Sequence, residues 1–203
     1  MPKDWDNLAV QFGPKSVMSL TITDEELNAE TERQIPLLEQ IIEPLLDWDE
    51  ETVLDFGCGA GRFTQALADM IRGRATGFDP CAGLIERAPG GYNVDYVSCP
   101  ADQFFAECRA QNTTYGVVFA FGVLGAPGLD LGLTARGLVD VLAPKGLLVI
   151  ADHMSLMPAE GKWWIHRHPS FYRLLFSGLG IELHQEGIVT QLDNAFTILA
   201  GRR

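Results

Sequence analysis

The chain has 203 residues, 47% of them apolar, with 27 acidic against 15 basic side chains and a formal net charge of −12. That length suits one domain with a full core rather than two, and the apolar share excludes disorder by composition. The charge argues against DNA or RNA as a partner, because phosphate contacts need clustered Lys and Arg, and it suits a cationic cofactor or substrate.

No apolar run approaches the ~20 residues of a membrane span, and residues 1–13 lack a charged-then-apolar leader pattern. The expectation is a cytoplasmic protein with no membrane partner. Cys58, Cys81, Cys99 and Cys108 contain no C-x-x-C pair, so they read as reduced, mostly buried thiols.

The first 30 residues read as polar and irregular. A helical pattern runs over about 31–46, with Ile35, Leu38, Ile41, Ile42 and Leu45 near one face and Pro36 in the first turn. "TVLDFG" is a short buried strand, "RFTQALADMIRG" a helix ended by Gly73, and "RATGFDP" a second strand stopped by Pro80. "AGLIERA" is a short helix, "VDYVSC" a third strand, and 102–109 another helical piece. "YGVVFAFG" is an apolar run of strand length, "LTARGLVDVLAP" a helix, and "GLLVIAD" a fifth strand. Four of these strands are apolar on both faces, as in a parallel sheet covered by helices, so the chain is α/β with an open sheet. "SFYRLLFSGLG" is a late helix, followed by two strands around "IELHQEGIV" and "AFTILAGR" that form an antiparallel hairpin.

The stretch "VLDFGCGAGRFT" places Gly57, Gly59 and Gly61 where the first strand meets a helix. In open α/β sheets that turn borders the ligand crevice, and glycines let the backbone approach a ligand. Two cofactor classes compete. A dinucleotide site needs G-x-G-x-x-G with pyrophosphate on the helix N-terminus; here the third glycine comes one residue early. Asp55 would sit poorly beside pyrophosphate and well beside an amino or sulfonium group.

The segment "VLDFGCGAGRFT" resembles the first motif of class I S-adenosylmethionine-dependent methyltransferases, and the likeness extends from Val53 to the final hairpin. It implies a Rossmann-like, seven-stranded, mostly parallel sheet with a C-terminal antiparallel hairpin and helices on both faces. It implies S-adenosyl-L-methionine as cofactor and S-adenosyl-L-homocysteine as product. Asp79 in "GFDP" matches the acid that takes both ribose hydroxyls in the family, two acceptor oxygens facing two adjacent donors. Asp102 in "PADQF" falls where the family often contacts the adenine amino group; a helix N-cap, or contact through the Ala101 backbone, are the alternatives. "FAFGVLG" matches the segment flanking the methionine end. The resemblance thus makes Asp55, Gly57, Cys58, Gly59, Gly61, Arg62, Asp79, Pro80, Ala101, Asp102, Phe119 and Phe121 cofactor-binding, with Phe12 added from an N-terminal segment, 1–30, that resembles a lid; Trp5 and Gln11 could close with it.

On the acceptor side the sequence is less informative. Methyl transfer is an in-line displacement whose reactivity the cofactor carries, so alignment and exclusion of water are the protein's tasks. A base is needed only where the nucleophile must lose a proton. His153 directly after the fifth strand is the candidate catalytic base, with a structural histidine as the alternative. His166 and His168 could reach the pocket or bind a metal with Asp152, but they lack clear companions and no metal is expected. Trp163 and Trp164 lie in an insertion, 153–168, that shapes the acceptor site in the family; with His166 they are candidate substrate-binding residues, or the tryptophans serve packing or a dimer contact. The [DNS]-P-P-[YF] motif of adenine and glutamine methylases is absent after the fourth strand, where "AFGVLGAP" stands.

The chain therefore reads as one methyltransferase domain, 1–203, acting on an oxygen or nitrogen of a small molecule, as a monomer or homodimer. A protein methyltransferase of the same fold, a non-catalytic cofactor-binding protein and a dehydrogenase are the rivals.

Overall fold

Alternation of apolar side chains along the central strands decides where the layers lie. The computed structural model describes residues 5–47, 49–157, 159–160 and 164–203. Five parallel strands, β1 (Thr52–Phe56), β2 (Arg74–Phe78), β3 (Val94–Val97), β4 (Tyr115–Phe121) and β5 (Leu142–Asp152), come first in the chain. Two short strands, β6 (Ala159–Glu160) and β7 (Ile165–His166), pair with each other outside the main sheet. β8 (His184–Gln191) and β9 (Asn194–Arg202) close the sheet as an antiparallel hairpin, β9 lying against β5. The seven-stranded order is β3-β2-β1-β4-β5-β9-β8.

Val53, Val117, Phe119, Val149 and Ala151 point to one face, where Leu38 and Ile42 of α2 (Asp24–Ile42) and Leu67 of α3 (Thr64–Met70) cover them. Leu54, Val118, Ala120, Leu148 and Ile150 point to the other. There they meet Phe104 and Phe105 of α5 (Ala101–Gln111), Leu138 of α6 (Leu131–Asp140) and Tyr172 and Phe176 of α7 (Pro169–Ser177). Neighbouring residues on one strand thus bury on opposite faces, as expected for a sheet covered on both sides. A small third cluster joins Ala9 of α1 (Trp5–Phe12) to Cys81 and to Leu84 of α4 (Ala82–Ile85).

Three elements differ from the sequence reading. The N-terminal segment is not irregular: α1 is followed by a 3₁₀ turn, Gly13–Val17, and α2 begins at Asp24. A reciprocal capping box starts α2, Glu26 N–H donating to Thr23 Oγ1 at 3.1 Å and Thr23 N–H to Glu26 Oε2 at 2.8 Å. Pro36 therefore lies inside the helix rather than in its first turn, and Leu27, Gln34, Leu38 and Ile42 form the buried stripe. The "VLAP" end of the expected "LTARGLVDVLAP" helix belongs mostly to β5, since α6 stops at Asp140 and Leu142 pairs with Tyr115. The β6–β7 ribbon inside the insertion carries no sequence signal of its own. Among the described residues, no helix is long and apolar enough to cross a membrane.

Candidate active site

Strand order reverses between β1 and β4, and a crevice opens at their carboxyl ends, as the topology requires. It holds a cavity of ≈ 650 Å³, within the size range of cofactor and small-molecule sites.

The glycine turn forms its floor. Gly57, Gly59 and Gly61 have φ of +75°, +58° and +74°, a region that side-chain-bearing residues rarely occupy. The turn is tied to the end of β2. Gly57 and Cys58 N–H donate to the Phe78 carbonyl at 2.7 and 2.9 Å, and Gly59 N–H donates to Asp79 Oδ2 at 2.9 Å. Gly61 N–H bonds the Cys58 carbonyl at 3.0 Å. All four donors are spent on the protein, so the turn does not offer them to a pyrophosphate. This separates it from a dinucleotide cradle more firmly than the glycine spacing does.

Two buried acids flank the turn. Asp79 accepts from Gly59 N–H and, through Oδ1, from Cys81 N–H at 2.9 Å. Each oxygen keeps a further lone pair, and burial pushes its pKa up. Asp55, at the end of β1, accepts the Thr64 hydroxyl at 2.7 Å. Burial, followed by the charge of Asp79 and opposed by that hydroxyl, pushes it up to about 7. Arg62 lies between helix and hairpin: Nε donates to Thr31 Oγ1 at 3.0 Å, Nη1 to Gln191 Oε1 at 3.2 Å and Nη2 to Gln34 Oε1. Its guanidinium also lies 4.7 Å from the Phe63 ring centre. Three of its five N–H groups are engaged, leaving two uncommitted on a side chain that borders the cavity. Burial lowers its pKa to about 10, so it remains a cation at neutral pH.

The opposite end is aromatic. Phe121 stacks on Phe196 at 4.8 Å, and His153 lies 5.9 Å from Phe196 and 4.3 Å from His166 between ring centres. The insertion is fastened to the loop after β4: Ile165 N–H donates to the Gly125 carbonyl at 2.8 Å, and Arg167 Nη1 to the Leu124 carbonyl at 2.9 Å. A Cβ at Gly125 would run into the Trp164 indole, so only glycine lets that ring approach the loop this closely. Asp152, 1% exposed, fixes the arrangement from beneath, accepting Trp164 Nε1–H at 2.9 Å, His153 N–H at 2.8 Å and the Tyr172 hydroxyl at 3.2 Å.

Of the residues expected at the site, Asp55, Gly57, Cys58, Gly59, Arg62, Asp79, Pro80, Ala101, Phe121, His153, Trp164 and His166 line this cavity. Four expected cofactor residues do not. Gly61 faces Tyr96, whose hydroxyl a Cβ there would strike. Phe119 is wholly buried, edge-on to Phe63. Phe12 lies at the end of α1, away from the lining, although Trp5 of the same helix reaches it. Asp102 is exposed in the first turn of α5; the N-cap position is Pro100, so the capping alternative also fails. His168 is the N-cap of α7, its Nδ1 accepting Ser170 N–H at 3.1 Å, and Asp152 is taken up by Trp164 and Tyr172. The proposed His166–His168–Asp152 grouping is therefore not assembled. Trp163 lies outside the described residues. Sequence reasoning missed Val17, Met18, Gln191, Asn194 and Phe196, which line the cavity from the 3₁₀ turn and the hairpin tip; in the sequence the hairpin tip carries only a turn signal.

The comparisons agree with this architecture. A family model described as a methyltransferase domain matches residues 29–177. No curated protein matches the chain. Among solved structures, a SAM-dependent methyltransferase from Anabaena variabilis superposes with a TM-score of 0.72 at 16% identity, covering 100% of this chain and 97% of that one. The magnesium protoporphyrin IX methyltransferase from Synechocystis with bound SAH gives 0.69 at 13%, covering 98% and 92%. The 1,6-didemethyltoxoflavin-N1-methyltransferase from Burkholderia thailandensis gives 0.64 at 18%, covering 87% and 79%. The chain belongs to the methyltransferase family, and its sheet is that of the class I, S-adenosylmethionine-dependent fold.

Proposed function

We propose that the chain transfers a methyl group from S-adenosyl-L-methionine to an oxygen or nitrogen of a small molecule. The observation that carries this reading is the polarity of a single cavity, with buried acids and a cation at one end and aromatic rings with two imidazoles at the other.

The charged end fits the cofactor's groups. Asp79 has unused lone pairs for two ribose hydroxyls and is held in place by two backbone donors. Asp55 offers a carboxylate for an ammonium, and the two uncommitted N–H groups of Arg62 suit a carboxylate. Pro80 and Ala101 supply apolar walls for a purine. When bound, the cofactor supplies an electrophilic methyl on a sulfonium. The chain's own contributions are orientation, exclusion of water by the aromatic end, and a proton acceptor drawn from the pair His153 and His166. Segment 1–30 would close over the cofactor and 153–168 would shape the acceptor side. The solved neighbours whose titles name a small-molecule substrate support the substrate class by analogy.

The test follows the methyl group. The protein is incubated with methyl-labelled S-adenosylmethionine and a cell extract separated into small molecules, protein and RNA. Label in the small-molecule fraction is expected. Label confined to protein or RNA overturns the substrate class, and failure to bind the cofactor in a direct titration overturns the whole reading.

A further inference from the structure

Resting on that reading, we propose that the acceptor is an uncharged aromatic hydroxyl, seated among Trp164, Phe121 and Phe196, and that His166 Nε2, rather than His153, receives its proton.

His166 Nδ1 lies 3.2 Å from the backbone carbonyl of His153. A carbonyl only accepts, so Nδ1 carries the hydrogen, and a neutral ring then has its bare lone pair on Nε2. The His153 main chain is thus a positioning group for His166. The two rings meet nearly edge-to-face, at 82°, and both line the cavity. Burial and the neighbouring His166 both hold the His153 pKa below its usual range, so a second positive charge beside His166 is disfavoured.

The surroundings select the acceptor. A ladder of rings, Phe63 to Phe121 at 5.1 Å and Phe121 to Phe196 at 4.8 Å, separates the imidazoles from Arg62, the one Lys or Arg among the described lining residues. Among the described lining residues, an acceptor carboxylate or phosphate meets no cation at that end. Among the described lining residues the carboxylates, Asp55 and Asp79, belong to the cofactor end, and Asp152 beneath the imidazoles is buried and committed to Trp164, Tyr172 and the His153 amide, so a cationic amine meets no uncommitted carboxylate at the aromatic end. The Trp164 N–H is spent on Asp152, so its indole presents ring surface rather than a donor. A neutral arylamine would fit the shape but carries its own lone pair and needs no base before attack; a hydroxyl does. The step balances: the O–H bond breaks and its proton passes to Nε2, an oxygen–methyl bond forms from an oxygen lone pair, and the methyl–sulfur bond electrons remain on sulfur as a neutral thioether.

Three isosteric probes test this: 2-naphthol, 2-naphthylamine and 2-naphthoate, titrated calorimetrically into the full chain saturated with S-adenosylhomocysteine, from about pH 5.5 to 8. Among the described residues, the titratable and charged groups near His166 include His153, Glu160 on the paired strand, Arg167 beside it, and Asp152 and Tyr172 beneath the insertion, so the readout must isolate one ring. We expect 2-naphthol to bind at least tenfold tighter than the other two and to weaken as the pH falls. His166→Asn should remove that pH dependence while His153→Asn keeps it. In parallel, an NMR titration of the wild-type histidine ring protons, assigned with His153→Asn, should show the His166 midpoint falling when 2-naphthol is bound. Equal or tighter binding of naphthoate or naphthylamine, no binding of any probe to the loaded protein, or an unmoved His166 midpoint overturns the proposal. Failure of S-adenosylhomocysteine itself to bind appears in the first titration and overturns the underlying methyltransferase reading instead.

Discussion

Asp55 is asked to be two things at once, a buried side chain at the end of a central strand and a partner for a positive charge. Burial alone favours its neutral form, which is why its pKa rises from 3.8 to about 7. Between pH 4 and 7 the folded chain binds more protons than the unfolded one, so this group's contribution to stability is greatest at low pH and is lost as pH rises through 7. For a cationic ligand the sign is opposite, because binding requires the carboxylate. S-adenosylmethionine should therefore bind about tenfold more weakly at pH 6 than at pH 8, with proton release on binding near neutrality. Asp55→Asn should bind weakly at both values with that slope removed. Calorimetry in two buffers of different ionisation enthalpy checks both, and a pH-independent wild-type affinity would sink the assignment.

At the scale of elements, the insertion depends on one carboxylate at the end of β5. Asp152→Ala would leave the Trp164 N–H and the Tyr172 hydroxyl without their acceptor, at a cost of roughly 2–4 kcal/mol to folding. Asp152→Asn keeps an acceptor for the indole and lets Tyr172 accept in turn, so it should cost much less. Urea unfolding of the two variants measures the difference, and equal losses would show that volume rather than hydrogen bonding matters there. None of this was legible in the sequence. The strands were, because Val53, Leu54, Val117 and Val118 are apolar wherever they point. The glycine turn and Asp79 were legible because their chemistry is local. Phe119 and Phe121 have the same side chain two positions apart, and the fold buries one while leaving the other on the cavity. The apolar periodicity becomes regular only near residue 31, and Pro36 there suits a first turn, whereas the true start of α2 is written in the polar pair Thr23 and Glu26.

For the whole molecule, ligand and fold are thermodynamically linked through the crevice. Residues from β1, β2, the 3₁₀ turn and the hairpin tip line it, and Arg62 at its edge is tied to Gln34 of α2 and to Gln191. S-adenosylhomocysteine at a hundredfold excess over its Kd should stabilise the chain by about 2.7 kcal/mol, a rise in Tm of roughly 5–10 °C for a chain of this size. Asp79→Ala, which removes charge-assisted hydrogen bonds worth roughly 1.5–3 kcal/mol of cofactor binding, should show less than half of that stabilisation at the same ligand concentration. A thermal shift series reads both, and an undiminished shift in the variant would remove Asp79 from the ribose.

The reversal of strand order has a historical consequence. It divides the crevice into a wall carried mainly by the chain up to α5 and a wall carried mainly by β4 onwards, joined through the β1–β4 seam. Substitutions that retailor one wall need not disturb the other. A lineage can then keep its methyl donor fixed for long periods while its acceptor drifts, and exchange of gene segments near the α5–β4 connection would graft a new appetite onto an old supply.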